Sequence, residues 1–260
     1  MSNIINKKDM EIAISWVILA MRDIMGRESV RNNIITKFVP EIPNATHMKT
    51  FDAFQQYKTA PYTNKQNKLL KYCEKIIKLK NKVVFTASNI QQNATDIETH
   101  YQSFLVDNTD KKLYVIDPAK PKIGYGIYEP MITYETLQPF FESKGYAVQY
   151  IELSNPAQTN TEDVFCQSWS LYILLDILRN GIRRVQIPKS QLKKYEVLLD
   201  FYKNVLLDQN IANELKETYI EYITNKKNKK EIMTNGNFDH IMQMDPVEII
   251  FNMKPSDMKE

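Results

Sequence analysis

An α+β fold is predicted by three observations. Helical periodicity marks the first 80 residues, β-rich segments a few residues long fill the middle, and helical periodicity returns after residue 165. The chain has 260 residues, 43% hydrophobic and 25% charged, the range of a globular protein able to bury a sizeable core. Composition and period together divide it into a mainly helical N-terminal region over 1–80, a core over 81–232 and a tail over 233–260.

The elements follow in order. Residues 8–25 place Met10, Ile14, Val17, Ile18, Met21 and Met25 on one side of a helix. Within them Ile12–Met21 is as apolar as the centre of a signal peptide. Asp9 and Glu11 precede it, no small-residue cleavage site follows, and it is shorter than the roughly 20 residues a bilayer requires. An amphipathic helix of an intracellular protein is expected, with no membrane partner. Residues 26–64, broken by Pro40, Pro43 and Pro61, read as irregular. Residues 65–80 form a helix with Leu69, Leu70, Cys73, Ile76 and Ile77 on its apolar face. Strands are expected at Val83–Ala87, Ser103–Asp107, Leu113–Asp117 and Ala147–Leu153. A crossover helix over Thr133–Lys144 ends at Gly145. Trp169–Arg179 is apolar nearly all round and should be a buried helix ended by Asn180-Gly181. Ser190 can cap a helix to about Gln209, and Ala212–Asn225 forms another. Lys226–Lys230 reads as a charged, solvated break, and the tail from Met233 as polar, with an apolar stretch at Val247–Phe251. No internal repeat is present.

Composition narrows the chemistry. Two cysteines, Cys73 and Cys166, exclude a disulfide framework and a cysteine-rich zinc site and fit a reducing compartment. Six glycines leave little material for phosphate-binding loops, and no cofactor is implied. A net charge of +3 does not by itself predict nucleic-acid binding. The lysine runs at 78–82 and 226–230 offer at most a weak contact of that kind and read more simply as solvated helix ends.

Against this background one ordered set stands out: His100, Asp117, Gln158 and Cys166. These supply a base, a residue to orient it, an oxyanion donor and a nucleophile, the parts of a thiol acyl-transfer site. Phe104–Val106 and Leu113–Val115 flank the turn-forming Asp107-Asn108-Thr109-Asp110. A turn centred between Asn108 and Thr109 sets His100 opposite Asp117 and Phe104 opposite Leu113. A turn shifted by one residue makes His100 and Asp117 diagonal neighbours, still within reach. Cys166 precedes a helix and can open its first turn, and a helix N-terminus or a nearby imidazolium favours the thiolate. Cys73, on an apolar helix face, reads as a buried structural thiol. Gln158 lies in a loop eight residues before Cys166. Gln167 is a rival donor, as are the backbone N–H groups of Cys166 and Gln167. A second assignment takes Cys166, His240 and Asn252 in the papain-like order, but Cys166 is neither near the start of the domain nor flanked by glycines. His47 falls in the proline-broken segment.

The set resembles the adenain-like and ubiquitin-like-protein-specific cysteine proteases. Their histidine is commonly followed by an aromatic residue, as His100 is by Tyr101. Their acid ends the next strand, as Asp117 does in Val115-Ile116-Asp117-Pro118. Their Gln-x-Asn-x-x-Asp-Cys pattern is matched by Gln158-Thr159-Asn160-Thr161-Glu162-Asp163, with Val164-Phe165 inserted before Cys166. Phe165-Cys166-Gln167-Ser168-Trp169-Ser170-Leu171 looks most like versions encoded by large DNA viruses. The resemblance covers about residues 83–180. It departs in the two inserted residues and in Gln167, where cellular members have glycine. It implies a papain-like core in permuted order, a small mixed sheet with a buried catalytic helix, flanked by helical additions. It also implies a thiol endopeptidase that needs no metal and cleaves next to glycine, in a viral polyprotein or a ubiquitin- or SUMO-like conjugate. Acyl transfer on the same triad, or a non-catalytic binding protein on a protease-like fold, are the alternatives.

Overall fold

The computed structural model describes residues 6–40, 49–55, 60–92, 97–119, 132–158 and 165–258. Its contacts divide into two compact units, Gly26–Pro188 and a second formed by Met1–Met25 with Lys189–Glu260.

The first unit is built on a five-stranded mixed sheet in the order β1-β2-β3-β4-β5, with β1 Lys49–Gln55, β2 Lys82–Gln92, β3 Ile97–Asp107, β4 Lys112–Ile116 and β5 Ala147–Tyr150. The two outer pairs are parallel and the two inner pairs antiparallel. One face is covered by α3 (Ala60–Ile76) and α4 (Gln138–Ser143). Leu69, Cys73 and Ile76 from α3 and Phe141 from α4 pack with Phe85, Phe104, Val106 and Val115. The Phe85 and Phe104 rings stack at 4.9 Å between centroids. Over the other face lie α2 (Glu28–Phe38) and α5 (Cys166–Asn180), because Ser103, which alternates with Phe104 along β3, is hydrogen-bonded to α2, and α5 packs along β3. Trp169, Leu171, Ile173 and Leu174 of α5 have no exposed surface, as expected of a helix apolar all round. Gly181, at φ +80°, ends it in a conformation that a Cβ would strain.

Several expectations are corrected. The segment read as irregular contains α2, β1 and the first turn of α3. Helix α2 has its acid, Glu28, in the first turn, and its buried Val30, Ile34 and Ile35 follow helical spacing. Arg31 and the Asn32-Asn33 pair interrupt that stripe in sequence. Pro61 does not break α3, since it falls in the first turn, where a missing N–H leaves no bond unmade. Pro43 and His47 lie outside the described residues. Strand β2 runs five residues past Ala87, and β3 begins six residues before Ser103, because these polar stretches pair with each other along the whole hairpin. The crossover helix is a π-helical turn, Ile132–Leu137, leading into α4.

The second unit comprises α1 (Lys7–Gly26, all but its last residue), α6 (Gln191–Val205), α7 (Gln209–Thr224), α8 (Lys226–Asn235), α9 (Phe238–Met242) and α10 (Pro246–Asn252), then a 3₁₀ turn at Pro255–Met258. Ser190 precedes α6 in extended conformation without a side-chain cap bond, and Asp208 caps α7 through the Asn210 and Ile211 N–H groups. Lys226–Lys230 is not a break: Asn225 caps a new helix there, and its lysines are exposed. The tail is not simply polar, since Ile241, Ile249, Ile250, Met253 and Met258 are buried. Among the described residues no helix is long and apolar enough to cross a membrane.

Candidate active site

The β3–β4 hairpin sets the geometry. Asp107 Oδ1 accepts hydrogen bonds from the Thr109 and Asp110 N–H groups, at 3.0 and 3.1 Å. Asn108 is buried and donates to the Ile76 and Asn81 carbonyls. Lys111, at φ +53°, completes a four-residue connection. Asp107 therefore pairs with Lys112, Phe104 with Val115 and Ser103 with Ile116, two residues further along β4 than a turn centred between Asn108 and Thr109 would give, because the turn centre moves by one. Extended by one step, this register places Gln102 across from Asp117 and makes His100 the diagonal neighbour.

The side chains meet accordingly. His100 Nε2 lies 2.8 Å from Asp117 Oδ1, and Gln102 Nε2 donates to Asp117 Oδ2 at 2.6 Å. The Ala119 N–H donates to Asp117 Oδ1 at 2.9 Å, and Thr133 Oγ1 donates to Gln102 Oε1 at 3.0 Å. His100, Asp117 and Gln102 are all buried. Cys166, in the first turn of α5, acts on the same imidazole. Burial works against the imidazolium, but Asp117 and then Cys166 outweigh it, and His100 is pushed up to about 10. Burial likewise works against the Asp117 carboxylate, yet His100, the Ala119 N–H and Gln102 hold it below the usual carboxylate range.

Gln158 is buried, and its N–H, like that of Ala157, donates to the Pro118 carbonyl at 2.9 Å. This ties the loop before α5 to the residue after Asp117. Thr159–Val164, the remainder of the glutamine motif, lie outside the described residues. The Gln167 side chain lies beside Gly26, where an added Cβ would stand 3.1 Å from its Nε2. Cys73 is fully buried, and burial pushes its thiol far above the ordinary range.

His240 and Asn252, from the papain-like order, have other partners. His240 Nδ1 lies 2.9 Å from Asp9 Oδ2, and Asn252 Nδ2 donates to the Glu248 carbonyl of its own helix. Both also line a groove of about 520 Å³ in the second unit. Among the described residues no cluster of His, Cys, Asp or Glu is placed to hold a metal ion.

Two further residues near this site, Gln102 and Arg31, belong to no motif. Gln102 was accessible in principle, two residues from His100 on a strand and across the hairpin from Asp117. Arg31 was not, since its partners lie at least 72 residues away: Nη2 donates to Ser103 Oγ at 2.9 Å and to Ser170 Oγ at 3.3 Å, and Nη1 donates to the Gln167 carbonyl at 3.1 Å.

No family model matches the chain, and no curated protein matches it. Among solved structures it is similar to RavZ, an effector protein of Legionella pneumophila. One RavZ crystal structure aligns at 12% identity over 72% of this chain and 69% of that chain, with a TM-score of 0.34. A second aligns at 10% identity over 71% and 62%, with a TM-score of 0.37. A third, RavZ in complex with human LC3B, aligns at 12% identity over 76% and 71%, with a TM-score of 0.30.

Proposed function

We propose that the chain is a thiol peptidase with Cys166 as nucleophile, His100 as proton carrier, Asp117 as its orienting carboxylate and Gln158 as an oxyanion donor. The observation that carries this reading is a single buried imidazole engaged by Asp117 at 2.8 Å and by Cys166 at the start of a buried helix. A thiol attacks as thiolate, and a carboxylate-held imidazole can take its proton and keep it through the attack. Cys166 Sγ bonds to the scissile carbonyl carbon, whose oxygen takes the negative charge and draws on N–H donors from Gln158 and the first turn of α5. As the C–N bond breaks, His100 gives its proton to the leaving amine. Water then attacks the thioester, passing a proton through His100 back to the sulfur, and the carboxylic acid departs.

The substrate class is a protein or peptide with glycine before the scissile bond, a point that rests on the resemblance to ubiquitin-like-protein proteases. Labelling with C-terminal electrophiles derived from ubiquitin, SUMO and LC3B, set beside a simple Gly-Gly-X electrophile, tests both levels. Adducts on Cys166 that vanish in Cys166→Ser support the nucleophile, and preference for a folded modifier over Gly-Gly-X favours a ubiquitin-like conjugate over a polyprotein. Absence of any adduct, with kcat/KM of zero on Gly-Gly-X peptides, favours a non-catalytic protein. Equal kcat/KM for Gly-Gly-X and Ala-Ala-X removes the glycine inference and leaves the triad standing. Transfer of the acyl group to an added amine faster than to water favours the acyltransferase alternative.

A further inference from the structure

Arg31 belongs to α2, yet no part of it reaches solvent. Burying a guanidinium is costly unless its donors are met. Here its fork ties α2 to two other elements, through the Gln167 carbonyl and Ser170 hydroxyl of α5 and the Ser103 hydroxyl of β3. Ser170 Oγ in turn donates to the Gln167 carbonyl at 2.9 Å, so two donors converge on the carbonyl of the residue that follows Cys166. Burial brings Arg31 down to about 10, while Tyr101 and Cys166 work in the opposite direction, as they do when charged. Two consequences follow. The first turn of α5 is fixed against the strand that carries His100, three residues before Ser103 on β3. A positive charge is also held in a low-dielectric interior, bonded to the carbonyl of the residue that follows Cys166.

We infer that Arg31 is a positioning residue of the thiol site: its fork holds the first turn of α5 in register with β3, and its charge favours the thiolate of Cys166. This rests on the reading of Cys166 as nucleophile. A lysine could supply the charge but not the fork, because an ammonium is a point donor on a flexible stem. A methionine would supply neither, while filling similar volume, a replacement that buried charges often tolerate.

The test is the rate at which Cys166 is alkylated by iodoacetamide across pH, read by peptide mapping so that Cys73 is scored separately, together with kcat on a Gly-Gly-X peptide. In Arg31→Met the alkylation of Cys166 at neutral pH should slow by roughly tenfold. In Arg31→Lys the alkylation profile should stay close to that of the unmodified protein while kcat falls. A folded Arg31→Met with an unchanged alkylation profile overturns the electrostatic role. Should Arg31→Met not fold, Arg31→Lys decides alone: an unchanged profile with reduced kcat supports the inference, and unchanged kcat overturns it. The alkylation readout needs no substrate, so it separates this inference from the one beneath it. If Cys166→Ser retains peptidase activity, the nucleophile assignment falls. If Cys166→Ser is dead and Arg31→Met alkylates normally, only Arg31's role falls.

Discussion

Among the described residues two imidazole–carboxylate pairs are of nearly equal length, and they differ in nearly everything else. His100 and Asp117 stand 2.8 Å apart and are both almost wholly buried. His240 and Asp9 stand 2.9 Å apart, and the His240 side chain is 21% exposed. At the first pair Cys166 approaches the same ring, and the carboxylate is steadied by Gln102 and the Ala119 N–H. At the second the carboxylate also accepts the Asn237 N–H at 2.9 Å, and that contact followed by His240 holds Asp9 below the usual carboxylate range. Asp9 thus fastens α1 to the turn before α9. A histidine beside an aspartate therefore does not define a reactive site. What sets the first pair apart is burial, a second donor set on the acid and Cys166 near the ring.

The largest expected effect separates the pairs outright. His100→Ala should abolish turnover, whereas His240→Ala should leave it nearly unchanged. Peptidase assays on both variants check this, and a dead His240→Ala would restore the papain-like assignment. His100→Ala also leaves Asp117 buried with only Gln102 and the Ala119 N–H as donors. Losing one partner of a buried pair costs about 3–5 kcal/mol, so denaturant titration should find this variant clearly destabilised, and His100→Gln, which keeps a donor, less so.

Next in size, Gln158→Ala should lower kcat about 10²–10³-fold with little change in KM, the usual loss for one oxyanion donor. Gln167→Ala should do less.

A smaller effect tests the donor set on the acid. Gln102→Leu removes the 2.6 Å bond to Asp117 and leaves Thr133 without that acceptor. It should lower kcat by roughly tenfold, by analogy with residues that orient a metal-bound histidine, while Cys166 is still alkylated. Unchanged kcat would show that Asp117 is held well enough by His100 and the Ala119 N–H.

The smallest effect is a pH dependence of stability. The folded-state value of His100 is raised to about 10 from about 6.5, so its contribution is fully present below pH 6.5 and is lost as pH rises through 10. Asp117 is lowered, so its contribution is present above its unfolded value of about 3.9 and is lost as pH falls further. The stability gap between the unmodified protein and Asp117→Asn should therefore be widest between about pH 4 and 6.5 and narrow toward pH 10. Chemical denaturation at pH 6, 8 and 10 measures it, and a gap that widens with pH would mean that His100 is neutral in the folded state.

The sequence carried the α+β class, α1, the β3–β4 hairpin, the helix behind Cys166 and the nearness of His100 to Asp117, because each is encoded within about 20 residues by periodicity or turn chemistry. It missed the turn centre by one residue, and so the pairing by two, since the Asp107 side chain takes two turn N–H groups and shifts the loop. It missed β1, whose parallel partner β2 lies about 35 residues away and whose pairing shifts register between Phe51 and Phe54. It read Lys226–Lys230 as a break because charge density there says solvent, and an exposed helix satisfies that equally well.

By itself, then, the sequence determined which residue types stand in which order and which short segments carry them: a histidine and an aspartate on one hairpin, and a cysteine at the head of an apolar helix. Only the tertiary structure decided that Cys166 meets His100, that Asp9 meets His240 across 231 positions, and that Arg31 links α2 to α5 and β3. The physical reason is the range of the forces involved. Backbone propensity and alternation act between near neighbours in the chain. A buried charge or donor takes whichever partner the packed fold brings within about 3 Å, whatever its distance in sequence.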